Sequence, residues 1–331
     1  MGRHSSEHEA QEPEALDMPR ARVNLVLFLL TVFSVFYIGH LVYALPNPHD
    51  SAVMQWLSGW PFAVPLMGIL VAHEAGHYIA ARLHRVPASL PYFLPIPFPE
   101  LSPFGTMGAV ILMPRRIRSA KALLDIGAAG PLAGMLVAIP TMIVGLSLSP
   151  VLPRAATGFV QEGESLLYWA LKRLVLGPIP STHDVVLHPT AAAAWVGFFI
   201  TFLNLVPFSQ LDGGHVAFAL LGKRHDAWSK RMWIVPALAL LYNLSTIARP
   251  ALLVAWHRGI RAIPDELLAP ALSSTMAWVI WLSIIVIVRW RSGGTHPPVD
   301  DASLDTRRHW VAVGTLALFA LLFMPSPFVQ Y

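Results

Sequence analysis

The chain has 331 residues, of which 55% are hydrophobic and 13% charged, with a mean hydropathy of +0.56. Soluble domains carry about a quarter charged residues, so this composition excludes an ordinary soluble protein and predicts a polytopic membrane protein. With no cysteine the chain has neither disulfides nor thiolate metal ligands, and its net charge of +4 is scattered in short flanks, which argues against a nucleic-acid surface.

Residues 1–22 are polar without apolar periodicity and are expected to form a disordered cytoplasmic tail. The first apolar run, Val23–Leu45, is longer than a signal-peptide core and lacks a small-x-small cleavage pattern, so it is expected as a retained helix. A bilayer core of about 30 Å needs about 20 apolar residues, and on that measure six further spans follow. They are Trp60–Leu83, Ala122–Leu148, Thr190–Phe208, Met232–Ala248, Pro270–Trp290 and His309–Met324. With the N-terminus inside, six of the 23 basic residues (Arg154, Lys172, Arg173, Arg249, Arg258, Arg261) fall outside and the other 17 inside. That bias supports a cytoplasmic N-terminus and an outer C-terminus.

Between the second and third spans, 86–121 is apolar but rich in Pro and Gly, and its TMGAVILM stretch has strand character. Backbone of this kind at membrane depth must be sheltered by protein or line a wet cavity, which predicts a short re-entrant β-hairpin or loop. In the outer loop 149–189, a short amphipathic helix is expected around Ser165–Leu176, lying on the membrane surface. The predicted fold is therefore all-α and polytopic, with about seven transmembrane helices.

The second span carries HEAGH at 73–77. His73 and His77, four apart, share one helix face and point at one cation, while Glu74 reaches a water on that cation without being a ligand. The chain's own His and Glu content predicts about 0.02 chance occurrences of this pattern. An ionised acid at mid-membrane costs about 2.5–3.5 kcal/mol, a cost that a divalent cation would offset. The alternative is that both histidines make interhelical hydrogen bonds and Glu74 faces a vestibule.

A third ligand is available in Asp212, which follows a helix expected to run to Val206, break at Pro207 and restart beyond Gly213-Gly214. Its alternative role is to cap the restarting helix. Asp125 follows Lys121 by four and reads as a helix-end charge pair. Asn204 either orients a substrate carbonyl or makes an interhelical hydrogen bond, and His215 either supports the metal site or faces cytoplasmic water.

HEAGH at 73–77, NLVPFSQLDGG at 204–214 and DIGAAGPLAG at 125–134 together resemble the site-2 protease family of intramembrane zinc metalloproteases, peptidase family M50. PYFLPIP, SPFGTMG, HPPVDDASLDTRRHW and MPSPF extend the likeness over roughly residues 60–331. They are similar to the bacterial and plastid branch named for ethylene-dependent gravitropism deficiency and yellow-green leaves. The resemblance implies one Zn2+ held by His73, His77 and Asp212, Glu74 as general base and acid, and Asn204 as a helper at the substrate. It implies a substrate that is itself a transmembrane protein, cut after local unwinding of its helix, as in regulated intramembrane proteolysis. The lipid bilayer, as an inner or plasma membrane, is the other partner. The corresponding division is a tail (1–22), a first span with its outer loop (23–59), a catalytic core (60–215) and C-terminal spans (216–331). No PDZ or CBS module is expected. A non-proteolytic metal-binding scaffold or chaperone, or a metal transporter, would use the same residues, but a transporter needs polar groups along a whole path and here they cluster at one depth.

Overall fold

The computed structural model describes residues 21–44, 49–99, 101–114, 117, 119–153, 160–208, 210–222, 224–231, 234–246, 248–264, 267–268, 275, 279, 282–283, 299, 301, 303–326 and 328–330. The expected tail lies outside the described residues except for its last two, and so does the sixth span apart from 275, 279, 282 and 283.

The described residues are mostly helical. α1 (Ala21–Ile38) runs on as a π-helical turn, Gly39–Tyr43, and α2 (Ala52–Leu57) leads into α3 (Trp60–Leu83). The hairpin strands β1 (Tyr92–Pro95) and β2 (Thr106–Val110) precede α4 (Ala120–Ser147). Then come β3 (Val151–Pro153), β4 (Val160–Glu162), α5 (Leu166–Leu176), β5 (His183–Val185) and α6 (Pro189–Asn204). After α6 come α7 (Asp212–Leu221), α8 (Arg224–Arg231), α9 (Ile234–Thr246), α10 (Arg249–Arg258) and α11 (Thr306–Leu322), with β6 (Phe328–Gln330) pairing antiparallel with β4.

Among the described residues, α1 with its π-helical turn and α4 are long and apolar enough to cross a membrane. α3 is 24 residues long, but His73, Glu74 and His77 dilute its hydropathy. α1 is built inside out for water. Its protein-facing side buries Asn24, Thr31 and Ser34, while Leu25, Val26, Leu29, Leu30 and Phe33 are exposed. That pattern suits lipid, where the apolar face needs no burial and the polar groups need partners. Thr31 Oγ1 bonds the Leu27 carbonyl within α1 at 2.8 Å, and the other partners lie in or just before the hairpin: Asn24 Nδ2 donates to the Leu90 and Pro91 carbonyls at 2.9 and 3.1 Å, and Ser34 Oγ to the Gly105 carbonyl at 2.6 Å. β1 and β2 pair antiparallel, with a register irregularity between Phe93 and Pro95.

α3, α4 and α6 form the core around Phe62, Leu66, Ile69, Met135, Ala138, Met142 and Phe198. α3 starts with Pro61 in its first turn, where the missing N–H costs nothing. Pro65 then leaves the Pro61 carbonyl without its intrahelical donor, and Thr190 Oγ1 on α6 supplies one at 2.9 Å. The helix ends at His84 in a Schellman motif: Val86 N–H donates to Ala81 O, Arg85 N–H to Arg82 O, and Arg85 takes the left-handed position at φ 54°.

Two sequence expectations need correcting, the limits of the break before Asp212 and the partner of Asp125. α6 stops at Asn204 rather than Val206, because a residue before proline is pushed out of the helical region, and α7 restarts at Asp212 itself. The helix expected at Ser165–Leu176 forms with Ser165 as its N-cap; it packs Tyr168 and Leu171 into the protein and leaves Leu166, Trp169 and Leu174 exposed. Asp125 makes its ion pair with Arg308, and also bonds His84; the expected Lys121 partner is replaced by these long-range ones.

Candidate metal centre

The i,i+4 spacing of His73 and His77 on α3 brings their Nε2 atoms to 3.1 Å from each other. Asp212 opens α7, where the turn after Pro207 folds the chain back onto the end of α6. Gly213 lies so close to the Leu205 carbonyl that a Cβ would overlap it, so the reversal needs glycine there. The turn aims the Asp212 carboxylate at both imidazoles: Oδ2 is 3.4 Å from His73 Nε2 and 3.2 Å from His77 Nε2. The carboxylate is thus spent on the histidines, not on capping α7.

Two features orient the rings. His77 Nδ1–H donates to the Ile126 carbonyl on α4 at 2.7 Å, which fixes the tautomer and leaves the Nε2 lone pair facing inward. Gly130, one turn along α4, lies flat against the His77 ring, and any Cβ there would overlap Nε2. Glu74 is buried, within electrostatic reach of both histidines and Asp212. Asn204, the last residue of α6, holds its side-chain nitrogen 3.3 Å from His73 Nε2. His215, one turn beyond Asp212, has its Cβ against α4 at Gly127.

Do these donors fit a metal? Zinc–ligand bonds of about 2.0–2.1 Å in a tetrahedron set neighbouring ligand atoms about 3.3–3.4 Å apart. The three separations here, 3.1, 3.2 and 3.4 Å, lie within about 0.3 Å of the spacing between corners of such a tetrahedron. Two imidazole nitrogens and one carboxylate oxygen are also a donor set that zinc accepts, with the fourth corner left for water or substrate.

The structure thus gathers His73, Glu74, His77, Asn204 and Asp212, all singled out from sequence. The Ile126 carbonyl escaped sequence reasoning because a backbone group carries no residue signature. The contact of Gly130 with the ring lay behind a motif read only as a packing surface. Both sit in DIGAAGPLAG, whose neighbourhood to the histidines was the available signal.

The family model "Peptidase family M50" matches residues 61–244. The chain is 32% identical over 65% of its length to a protein named "Probable zinc metalloprotease EGY1, chloroplastic" from Oryza sativa subsp. japonica, and 31% identical over 65% to its namesake from Arabidopsis thaliana. It is 31% identical over 80% to "Probable zinc metalloprotease EGY2, chloroplastic" from Oryza sativa subsp. indica. It spans 40–42% of the length of these relatives. No solved structure gives a significant match. A match over more than half of the chain, on the segment that holds the whole histidine–aspartate cluster, shows that the chain belongs to peptidase family M50.

Proposed function

We propose that this protein is an intramembrane zinc endopeptidase that hydrolyses a peptide bond in the membrane-spanning segment of another protein. The observation that carries the reading is the convergence of His73 Nε2, His77 Nε2 and Asp212 Oδ2 at tetrahedral spacing beside the buried Glu74. His73, His77 and Asp212 are the zinc ligands. Bound there, zinc supplies the Lewis acidity that makes water a nucleophile near neutral pH and polarises the scissile carbonyl.

The remaining chemistry belongs to the chain. Glu74 takes the proton from the attacking water and delivers it to the leaving nitrogen as the C–N bond breaks. Asn204 donates its amide N–H to the oxygen of the reacting carbonyl, where negative charge develops. The Ile126 carbonyl and Gly130 hold the His77 ring still through the cycle. A substrate helix hides its peptide bonds in its own hydrogen bonds, so the cleaved stretch must be extended. The hairpin offers a sheet edge on which such a strand is held, tied to α1 through Asn24 and Ser34.

Residues 60–215 contain the three ligands, Glu74, Asn204, Ile126, Gly130 and the hairpin, and form the catalytic core. The excess of basic residues on one side supports a cytoplasmic N-terminus, with the site opening toward the cytoplasmic half of an inner or plasma membrane. Glu74→Gln tests the assignment: zinc content is retained while cleavage of a reporter transmembrane segment falls to background. Cutting at the parent rate would remove Glu74 from the role of base.

A further inference from the structure

We infer that Arg308, on α11 and outside the family-matched segment, is a positioning residue for the metal centre, acting through Asp125 on the turn of α4 that holds His77. The inference rests on the zinc reading above.

Asp125 receives three nitrogen donors. Arg308 Nε lies 3.0 Å from both carboxylate oxygens, Arg308 Nη2 is 2.7 Å from Oδ2, and His84 Nε2 is also 2.7 Å from Oδ2. The guanidinium is fully engaged, since its other terminal nitrogen pairs with Asp305, which caps α11 by accepting the Arg308 N–H at 2.9 Å. A planar fork gripping a carboxylate on two sides sets its angle as well as its distance.

Each partner of Asp125 belongs to an element that bears on the site. His84 is the C-cap of α3, two turns beyond His77. The residue after Asp125 is Ile126, whose carbonyl accepts the His77 Nδ1–H bond, and Gly127 and Gly130 face Asp212 and the His77 ring. Upstream of α11 the chain is also fastened to the start of α4: Ala120 N–H donates to the Asp301 carbonyl at 2.9 Å, and Val299 and Leu304 pack with Ala120, Leu123 and Leu124. One carboxylate therefore joins α11, the end of the histidine helix and the turn that orients a ligand. The three side chains are about a quarter to a third exposed, so their net value as ion pairs is small, and their consequence is geometric.

The test uses the full chain purified in detergent, with zinc affinity measured by chelator competition and ligand geometry by the visible spectrum of the Co2+-loaded protein. Arg308→Gln is expected to weaken zinc binding about tenfold and to shift the cobalt bands, as loss of outer hydrogen-bonding partners does. Arg308→Lys keeps the charge without the fork and should fall between. The double variant with Asp125→Asn should be no weaker than the worse single, because both act through one path. Zinc affinity and cobalt bands in Arg308→Gln within twofold of the parent, even with a lowered melting temperature, would reduce the trio to a structural clamp and overturn the inference. If Arg308→Gln does not fold, Arg308→Lys is judged by the same criteria. A parent that binds no zinc defeats the metal reading itself; a parent that binds it with Arg308 variants unchanged defeats only this inference.

Discussion

His77 is held on three sides, by the Ile126 carbonyl at Nδ1, the Asp212 carboxylate at Nε2 and the bare backbone of Gly130 across its ring. Its orientation therefore depends on atoms that residue types reveal unequally. The pair His73/His77 with Glu74 is legible in sequence because all three groups lie within one helical turn, where spacing alone fixes geometry. The Ile126 carbonyl is not, since every residue offers one. Gly130→Ala tests the hold directly. A methyl group has no room beside Nε2, so the ring must rotate, and the zinc dissociation constant is expected to rise by at least about tenfold in chelator competition. An unchanged constant would mean that α4 yields without disturbing the ligand.

At the scale of elements, the site is made where helices stop. α6 ends at Asn204 and α7 begins at Asp212, so a carboxylate and an amide on either side of one reversal meet the middle of α3. The break was readable from Pro207 and the Gly213-Gly214 pair; its limits were not, because the helix yields before the proline that forces it. The end of α3 is the reverse case. No glycine marks it, yet the chain closes a Schellman motif with Arg85 in the left-handed region. Replacing Arg85 by Gly relieves that conformation and is expected to stabilise the protein by about 0.5–1 kcal/mol, read as a higher thermal midpoint in detergent. A lower midpoint would show that the arginine side chain contributes more than its backbone costs. Asp125 shows a further limit of local reading. Lys121 stands at the favoured i,i−4 spacing, but the bonds go to Arg308, 183 residues on, whose bidentate fork no spacing rule along one helix detects.

For the molecule as a whole, the distribution of polarity decides the environment. α1 turns Asn24 and Ser34 inward and leucines outward, and exposed Leu136 and Val144 on α4 follow the same rule. Composition made a membrane protein legible, whereas contacts between the hairpin and α1 depend on pairings 66 to 71 residues apart. Orientation is open to experiment because the chain has no cysteine, so an introduced thiol is the only one present. A cysteine at exposed Arg82 is expected to react with an impermeant reagent from the cytoplasmic face alone, and one at exposed Arg173 from the opposite face alone. Labelling of both from one face would overturn the proposed orientation. The central claim, that two imidazoles and one carboxylate hold a catalytic zinc inside the helix bundle, is tested most directly by zinc K-edge X-ray absorption on the purified chain. The account predicts one zinc per chain with about four nitrogen or oxygen neighbours at about 2.0–2.1 Å and two imidazoles among them, one imidazole fewer in His77→Ala. Protein that retains no zinc, or a zinc shell that His77→Ala leaves unaltered, would contradict it.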